Sequence, residues 1–435
     1  MTIKKKKGFS ILPRILLVVL IFVLGGGAGY FYSQKLKPKE RVSETQEDIY
    51  LAFSQEVWEK ISQNYWEKIS EENLTDLFVK GIETLTGQPQ VLPKNNQANL
   101  WQLLKEINQQ IKDETKKKEF TVKLADLVLA NLKPYERSRL YTQKEEKSLS
   151  ENVKNISGVD QYQVLEVEKE ASQKEIESAY KEKIAQLEPE KDKSPKAKEE
   201  YEQVQQAYKV LADRESRQIY DASGVEPTID YQLIRPEILY LHWKKFSPTT
   251  FEELKRVTEK SDQGEILDTL ILDLRDNIGG AIDGLPYFLG PFIGQDQYAY
   301  QFFHQGEKMD FKTRTGWLPS LARYKKVVIL INENTQSSAE VMAAVLKKFN
   351  VGILVGTPTK GWGTVEKVFP LENQLDQNEK YSVFLAHSLT LDEAGQPIEG
   401  RGIQPLINLE SPNWEKQLFA YFHYPELIEA VKEVL

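Results

Sequence analysis

Cysteine is absent from the 435 residues, which excludes disulfides, thiol nucleophiles and thiolate metal sites. Histidine occurs four times, at positions too scattered to suggest a metal site, so no metal or cofactor is expected. Uncharged runs long enough to cross a bilayer occur once, at residues 15–34, about the length that a spanning helix requires. Lys4, Lys5, Lys6, Lys7 and Arg14 precede that run, and Lys35, Lys37, Lys39 and Arg41 follow it. The basic N-terminus of a single span argues that the short tail stays in the cytoplasm, which predicts a cytoplasmic tail at 1–14, an anchor at 15–34 and an extracytoplasmic body. A cleaved signal peptide is the rival reading, although no clear A-x-A-like site follows the apolar core.

Residues 1–41 carry a net charge of +8 within a chain of −8, so the rest carries −16. An acidic body with no basic patch among aromatics has no nucleic-acid footprint. Residues 42–155 read as helical, with Leu51, Phe53, Val57, Trp58, Ile61 and Tyr65 at helical spacing and two more amphipathic stretches at 100–111 and 120–132. Residues 412–435 repeat that spacing and predict a helix capping the preceding domain.

The richest stretch is 324–371. Residues 327–331 are a short apolar run suited to a strand buried on both faces, 332–336 form a turn, and Ser337, Ser338 and Glu340 open a helix carrying Val341, Met342, Val345 and Leu346. Both hydroxyls therefore lie at a helix N-terminus, where free N–H groups could hold an oxyanion and where a simple cap would also sit. Upstream, the strand at 269–274 runs into Arg275-Asp276-Asn277-Ile278-Gly279-Gly280, whose glycines permit close backbone approach. Downstream come strands at 351–356 and 364–371, separated by a glycine-bearing loop.

Three motifs in this order, over roughly residues 230–410, resemble the carboxy-terminal processing, or tail-specific, proteases, with their L-R-x-N-P-G-G, S-A-S-A-S-E and G-E-P-T-F-G-K-G-T-V-Q segments. Residues 399–405 match the family's late Q-G-x-G-I-x-P, with Glu399 in place of glutamine. The resemblance implies a parallel-rich sheet wrapped by helices, a crotonase/ClpP-like α/β domain at 229–411. It assigns Ser337 to the nucleophile and Gly279, Gly280 and the N–H of Ser338 to the oxyanion region. Trp362 falls on the general-base lysine, Glu366 on its supporting glutamine, and Ile278 on the proline of the first motif. An indole nitrogen only donates, so Trp362 cannot take a proton from serine. Lys360, two residues away on the same face of an extended segment, is the displaced-base candidate, with His242 and His387 as further acceptors. Beside a cation, Glu366 reads first as a plain salt-bridge partner.

In the family a peptide-binding PDZ module follows the helical region, and here another pattern takes its place. Residues 160–221 resemble a J domain, with helices read at 171–187 and 197–211 and a third ending at Tyr220. The diagnostic His-Pro-Asp falls on Glu188-Pro189-Glu190, so a chaperone partner is not expected and 158–222 reads as a degenerate J-like bundle. Residues 151–230 contain just Gly158 and Gly224, which leaves no glycine-rich loop to grip a terminal carboxylate.

The whole reads as a multidomain α plus α/β protein anchored in a membrane, with a polypeptide as substrate or ligand. It binds extended polypeptides with serine peptidase activity impaired or lost; alternatively it is an active serine endopeptidase using Ser337 with Lys360, or a J-domain co-chaperone or scaffold. The family links the N-terminal helices to dimer formation, which implies a homodimer.

Overall fold

The computed structural model describes residues 48–189, 193–262 and 264–435. The anchor expected at 15–34 and Glu190 of the degenerate tripeptide lie outside them. Among the described residues no helix is long and apolar enough to cross a membrane.

Among the described residues the first four helices, Ile49–Asn64, Glu71–Thr86, Gln97–Gln110 and Glu114–Ala130, follow the three-and-four spacing of their apolar residues. The last three start on side-chain caps, with Ser70, Asn96 and Asp113 accepting the N–H of Asn73, Asn99 and Lys116. Their inner faces, including Phe53, Ile61, Phe78 and Val128, close over a core that also takes in Leu371, Leu375, Tyr381 and Val383. The helical region thus shares one core with the C-terminal half.

Among the described residues eleven strands form two sheets. They are β1 (Arg139–Thr142), β2 (Ile229–Arg235), β3 (Ile238–Trp243), β4 (Thr269–Asp273), β5 (Tyr298–His304), β6 (Glu307–Lys312), β7 (Lys326–Ile331), β8 (Ile353–Gly356), β9 (Thr364–Pro370), β10 (Tyr381–Leu391) and β11 (Ile407–Asn408). The six-stranded sheet runs β11-β8-β7-β4-β3-β2 and is parallel except for the β2–β3 pair. Its central strand β4 is buried throughout, as a strand covered on both faces must be. One face packs on Leu254, Phe288, Val341 and Met342, and the other on Leu418, Leu427 and Val431 of the C-terminal helices.

The second sheet is antiparallel, in the order β1-β10-β5-β6 with β9 also on β10. Its edge strand β1 comes from the N-terminal region, inside the stretch that reads as helical by spacing. Residues 412–435 are two helices, Trp414–Phe422 and Pro425–Val434, rather than one. Pro425 has no N–H to continue the first helix, and Tyr424 before it is extended at φ −133°, as residues preceding proline prefer to be.

The J-like module contains helices Gln161–Leu165, Gln173–Leu187, Pro195–Ala212 and Arg214–Ser223 around Tyr162, Ile176, Ala207, Val210 and Leu211. It leaves and rejoins the body at one point: Ile156 bridges Val225, and Ser157 N–H donates to Gly224 O at 2.9 Å. Ion pairs bind its flank to the body, Asp213 to Arg256 at 2.6 Å and Lys209 to Asp230 at 2.6 Å.

Candidate active site

The site forms where β4 and β7 end side by side, a place where parallel sheets commonly bind ligands. Two loops leave these strands and are stitched together. The Thr335 hydroxyl donates to Leu274 O at 2.8 Å, and Gln336 N–H to Asn277 O at 3.0 Å. Asn277 is fully buried and fixes its own loop, donating to Trp243 O at 2.6 Å and accepting from Gly279 N–H at 2.8 Å.

Ser337 follows at φ +57° and ψ −125°, a conformation that costs a non-glycine residue energy and that its neighbours must enforce. Gly279 lies against it. A Cβ on that glycine would come within 2.7 Å of the Ser337 Cβ and 3.1 Å of its Oγ. Gly280, at φ +133°, lies against Phe246, whose carbonyl oxygen would be 2.1 Å from an added Cβ.

The Ser338 hydroxyl donates to Gly280 O at 3.1 Å, which sets these two residues side by side. Because the Gly279 N–H is taken by Asn277, the N–H groups of Gly280 and Ser338 are the two of the expected oxyanion region without an acceptor among the described residues. Gly279 enters the site through its missing side chain.

Glu340, one helical turn beyond Ser337, ties this half of the site to the other. Its buried carboxylate accepts from Ser337 N–H at 2.9 Å, Trp362 N–H at 2.8 Å, Gly361 N–H at 2.7 Å and the Thr359 hydroxyl at 2.5 Å. Burial pushes its pKa up from the usual glutamate range, against the pull of those donors. The spacing of the sequence marks Glu340 merely as a residue opening a helix; its hold on the 359–362 loop depends on a tertiary contact.

The position carried over as the general base holds a half-buried indole. Trp362 Nε1 donates to Glu366 Oε1 at 2.9 Å, and the Thr364 hydroxyl donates to the same oxygen at 2.6 Å. Burial also raises the pKa of Glu366. Over the ring lies Arg137, its Cζ 3.6 Å from the centroid. Arg137 in turn donates from Nε and Nη2 to Glu399 Oε1 at 3.2 and 3.1 Å, and Glu399 Oε2 accepts from Gly363 N–H at 2.6 Å. Glu366 is therefore a partner of the indole, and the residue beside it in the salt-bridge role is Glu399.

Lys360 is exposed, with its Nζ 5.6 Å from the Trp362 ring centroid and its backbone N–H on Thr335 O. It makes no hydrogen bond to Ser337. His242 contacts Arg275 O at 3.3 Å, and His387 stacks on His304 with ring centroids 4.2 Å apart. Among the described residues no side chain hydrogen-bonds the Ser337 hydroxyl, and no cluster of acidic residues and histidines could hold a metal ion. Glu188 and Pro189 lie in the J-like module just past helix Gln173–Leu187, apart from this site.

Comparison with known proteins agrees with these motifs. The Peptidase family S41 model matches residues 237–409 and the DnaJ domain model residues 160–221. The carboxy-terminal-processing protease of Bartonella bacilliformis is 28% identical over 211 residues, 44% of this chain and 46% of that protein. The chaperone protein DnaJ 2 of Thermus thermophilus is 45% identical over 65 residues, 15% of this chain and 23% of that one. Among solved structures, a photosystem II D1 C-terminal processing protease aligns with a TM-score of 0.49 at 14% identity, over 83% of this chain and 93% of that chain. The matched region spans a third to a half of the length of the protease relatives. Residues 237–409 form a Peptidase family S41 domain, of the kind found in carboxy-terminal processing proteases, and a DnaJ domain stands before it at 160–221.

Proposed function

We propose that this S41 domain binds extended polypeptides in its cleft and has lost, or nearly lost, the ability to cut them. The observation that carries the reading is the clamped indole at the base position: Trp362 bonds Glu366 and lies under Arg137, while the Ser337 hydroxyl has no proton acceptor among the described residues. A serine hydroxyl without a base is a poor nucleophile at neutral pH. Binding is a separate property. The free N–H groups of Gly280 and Ser338, and a serine held in its strained conformation, retain what is needed to receive a carbonyl oxygen.

The purified protein, with Ser337→Ala and Lys360→Ala versions beside it, is to be incubated with unstructured polypeptides. Retained binding with no cleavage is the expected result. Cleavage that disappears in both variants would instead establish a peptidase with Lys360 as its base, a reading favoured by the same retained serine and N–H groups.

We place this body outside the cytoplasm on a single N-terminal span, on the strength of the uncharged stretch at 15–34 and its basic flanks. In that setting the DnaJ domain acts as a packing and spacing module. Glu188 stands where its histidine is expected, and the ion pairs of Asp213 and Lys209 bind its flank to the body. The six-stranded parallel-rich sheet supports the crotonase-like assignment, and the family's use of its N-terminal helices supports a homodimer.

A further inference from the structure

Beside the candidate active site lies an open cleft of about 290 Å³, lined among others by Asn155, Glu226, Lys244, Lys245, Asp276 and Ile278. It sits where the J-like module joins the body, and Asp276 and Ile278 in its wall belong to the loop that presents the free Gly280 N–H. Its charged groups are satisfied unevenly. Glu226 accepts from the side-chain amides of Gln161 and Gln206. Asp276 accepts from those of Asn332 and Asn334, and Lys244 pairs with Asp230 at 3.2 Å. Lys245 differs. Its ammonium donates at 2.6 Å to an uncharged acceptor, Asn152 Oδ1, and forms no ion pair among the described residues.

We infer that Lys245 makes this cleft a subsite for a carboxylate of the bound polypeptide, supplied by its C-terminus or by an acidic side chain. The inference rests on the peptide-binding reading above. Lys245 precedes Phe246, which pairs with Gly280 in a parallel bridge and donates its N–H to Gly279 O at 2.9 Å. A carbonyl received by the Gly280 N–H therefore lies within about three extended residues of the ammonium. Burial pushes the Lys245 pKa down from the usual lysine range, against the pull of the Glu226 carboxylate across the cleft, which accepts its own hydrogen bonds from Gln161 and Gln206. A ligand carboxylate is the group that would relieve it, and a charge-assisted bond of this kind is short and directional.

The test uses the full chain and three forms of one dye-labelled unstructured peptide: free acid, C-terminal amide, and a form with its Asp and Glu changed to Asn and Gln. Binding is followed by fluorescence anisotropy. At least one neutralised form is expected to bind about tenfold more weakly than the free acid, and which one identifies the carboxylate. Lys245→Gln removes that preference, Lys245→Arg keeps it, and in the unaltered protein it shrinks as salt is raised. A preference that survives Lys245→Gln, or that ignores salt, overturns the subsite while leaving peptide binding intact. Equal binding of all three forms does the same. Failure of every form to bind the unaltered protein rejects the peptide-binding reading, and the subsite with it.

Discussion

The Arg137 guanidinium lies over Trp362, its Cζ 3.6 Å from the ring centroid, and holds Glu399 through two hydrogen bonds of 3.1 and 3.2 Å. A cation from the N-terminal region, an indole at the base position and a carboxylate from the late motif thus form one unit. Arg137→Ala leaves the Glu399 carboxylate largely buried without its counter-charge, and the expected loss is about 1–3 kcal/mol of stability in denaturant unfolding. Arg137→Ala and Trp362→Ala together are expected to cost less than the sum of the two. Additivity within about 0.3 kcal/mol would show that ring and guanidinium do not work as a unit.

Returning an amine to the base position tests whether Trp362 alone silences the serine. Arg137 disfavours a second protonated group beside it, which helps keep a new amine neutral. Trp362→Lys is expected to raise cleavage of an unstructured polypeptide by at least about a hundredfold, a typical contribution of a positioned base. The gain should vanish on adding Ser337→Ala. Absence of Ser337-dependent cleavage in Trp362→Lys would place the defect elsewhere in the cleft.

The stacked pair His304 and His387 makes stability depend on pH. Burial, with Lys367 and His304 nearby, lowers the His387 pKa from 6.5 to about 4. Between those values the unfolded chain binds a proton that the folded protein refuses, so stability falls as pH drops from 6.5 to 4 and the effect levels off below. His387→Asn is expected to lose this part of the pH dependence, read as the difference between unfolding midpoints at the two pH values. An identical slope in both proteins would assign it to other groups.

Two glycines with positive φ separate strain from collision. Gly400, at φ +71°, has open space around its would-be Cβ, and Gly400→Ala is expected to cost about 1 kcal/mol. In Gly280→Ala the new methyl would meet Phe246 O at 2.1 Å, so a loss of at least about 3 kcal/mol is expected, together with loss of peptide binding. Equal costs for the two would mean that the 245–247 segment yields freely.

Strands β4 and β7 are legible in the sequence because a sheet covered on both faces demands uncharged runs, and 269–272 and 327–331 are such runs. The helix after Ser337 shows itself through the spacing of Val341, Met342, Val345 and Leu346. The position of Trp362 is equally visible, since the motif around it has no gaps. The guard over it is not. Nothing near Arg137 in the chain points to residue 362, and only the pairing of β1 with β10 delivers it. β1 is too short for alternation to register against its helical neighbours. The break at His423 had a local signal in Pro425, which the run of apolar residues on either side outweighs.

The clasp formed by Ile156 and Val225 gives the intervening segment unusual latitude. Since chain closure grows only logarithmically more costly with length, a loop fastened at its two ends can exchange one small bundle for another with little penalty to the scaffold beneath it.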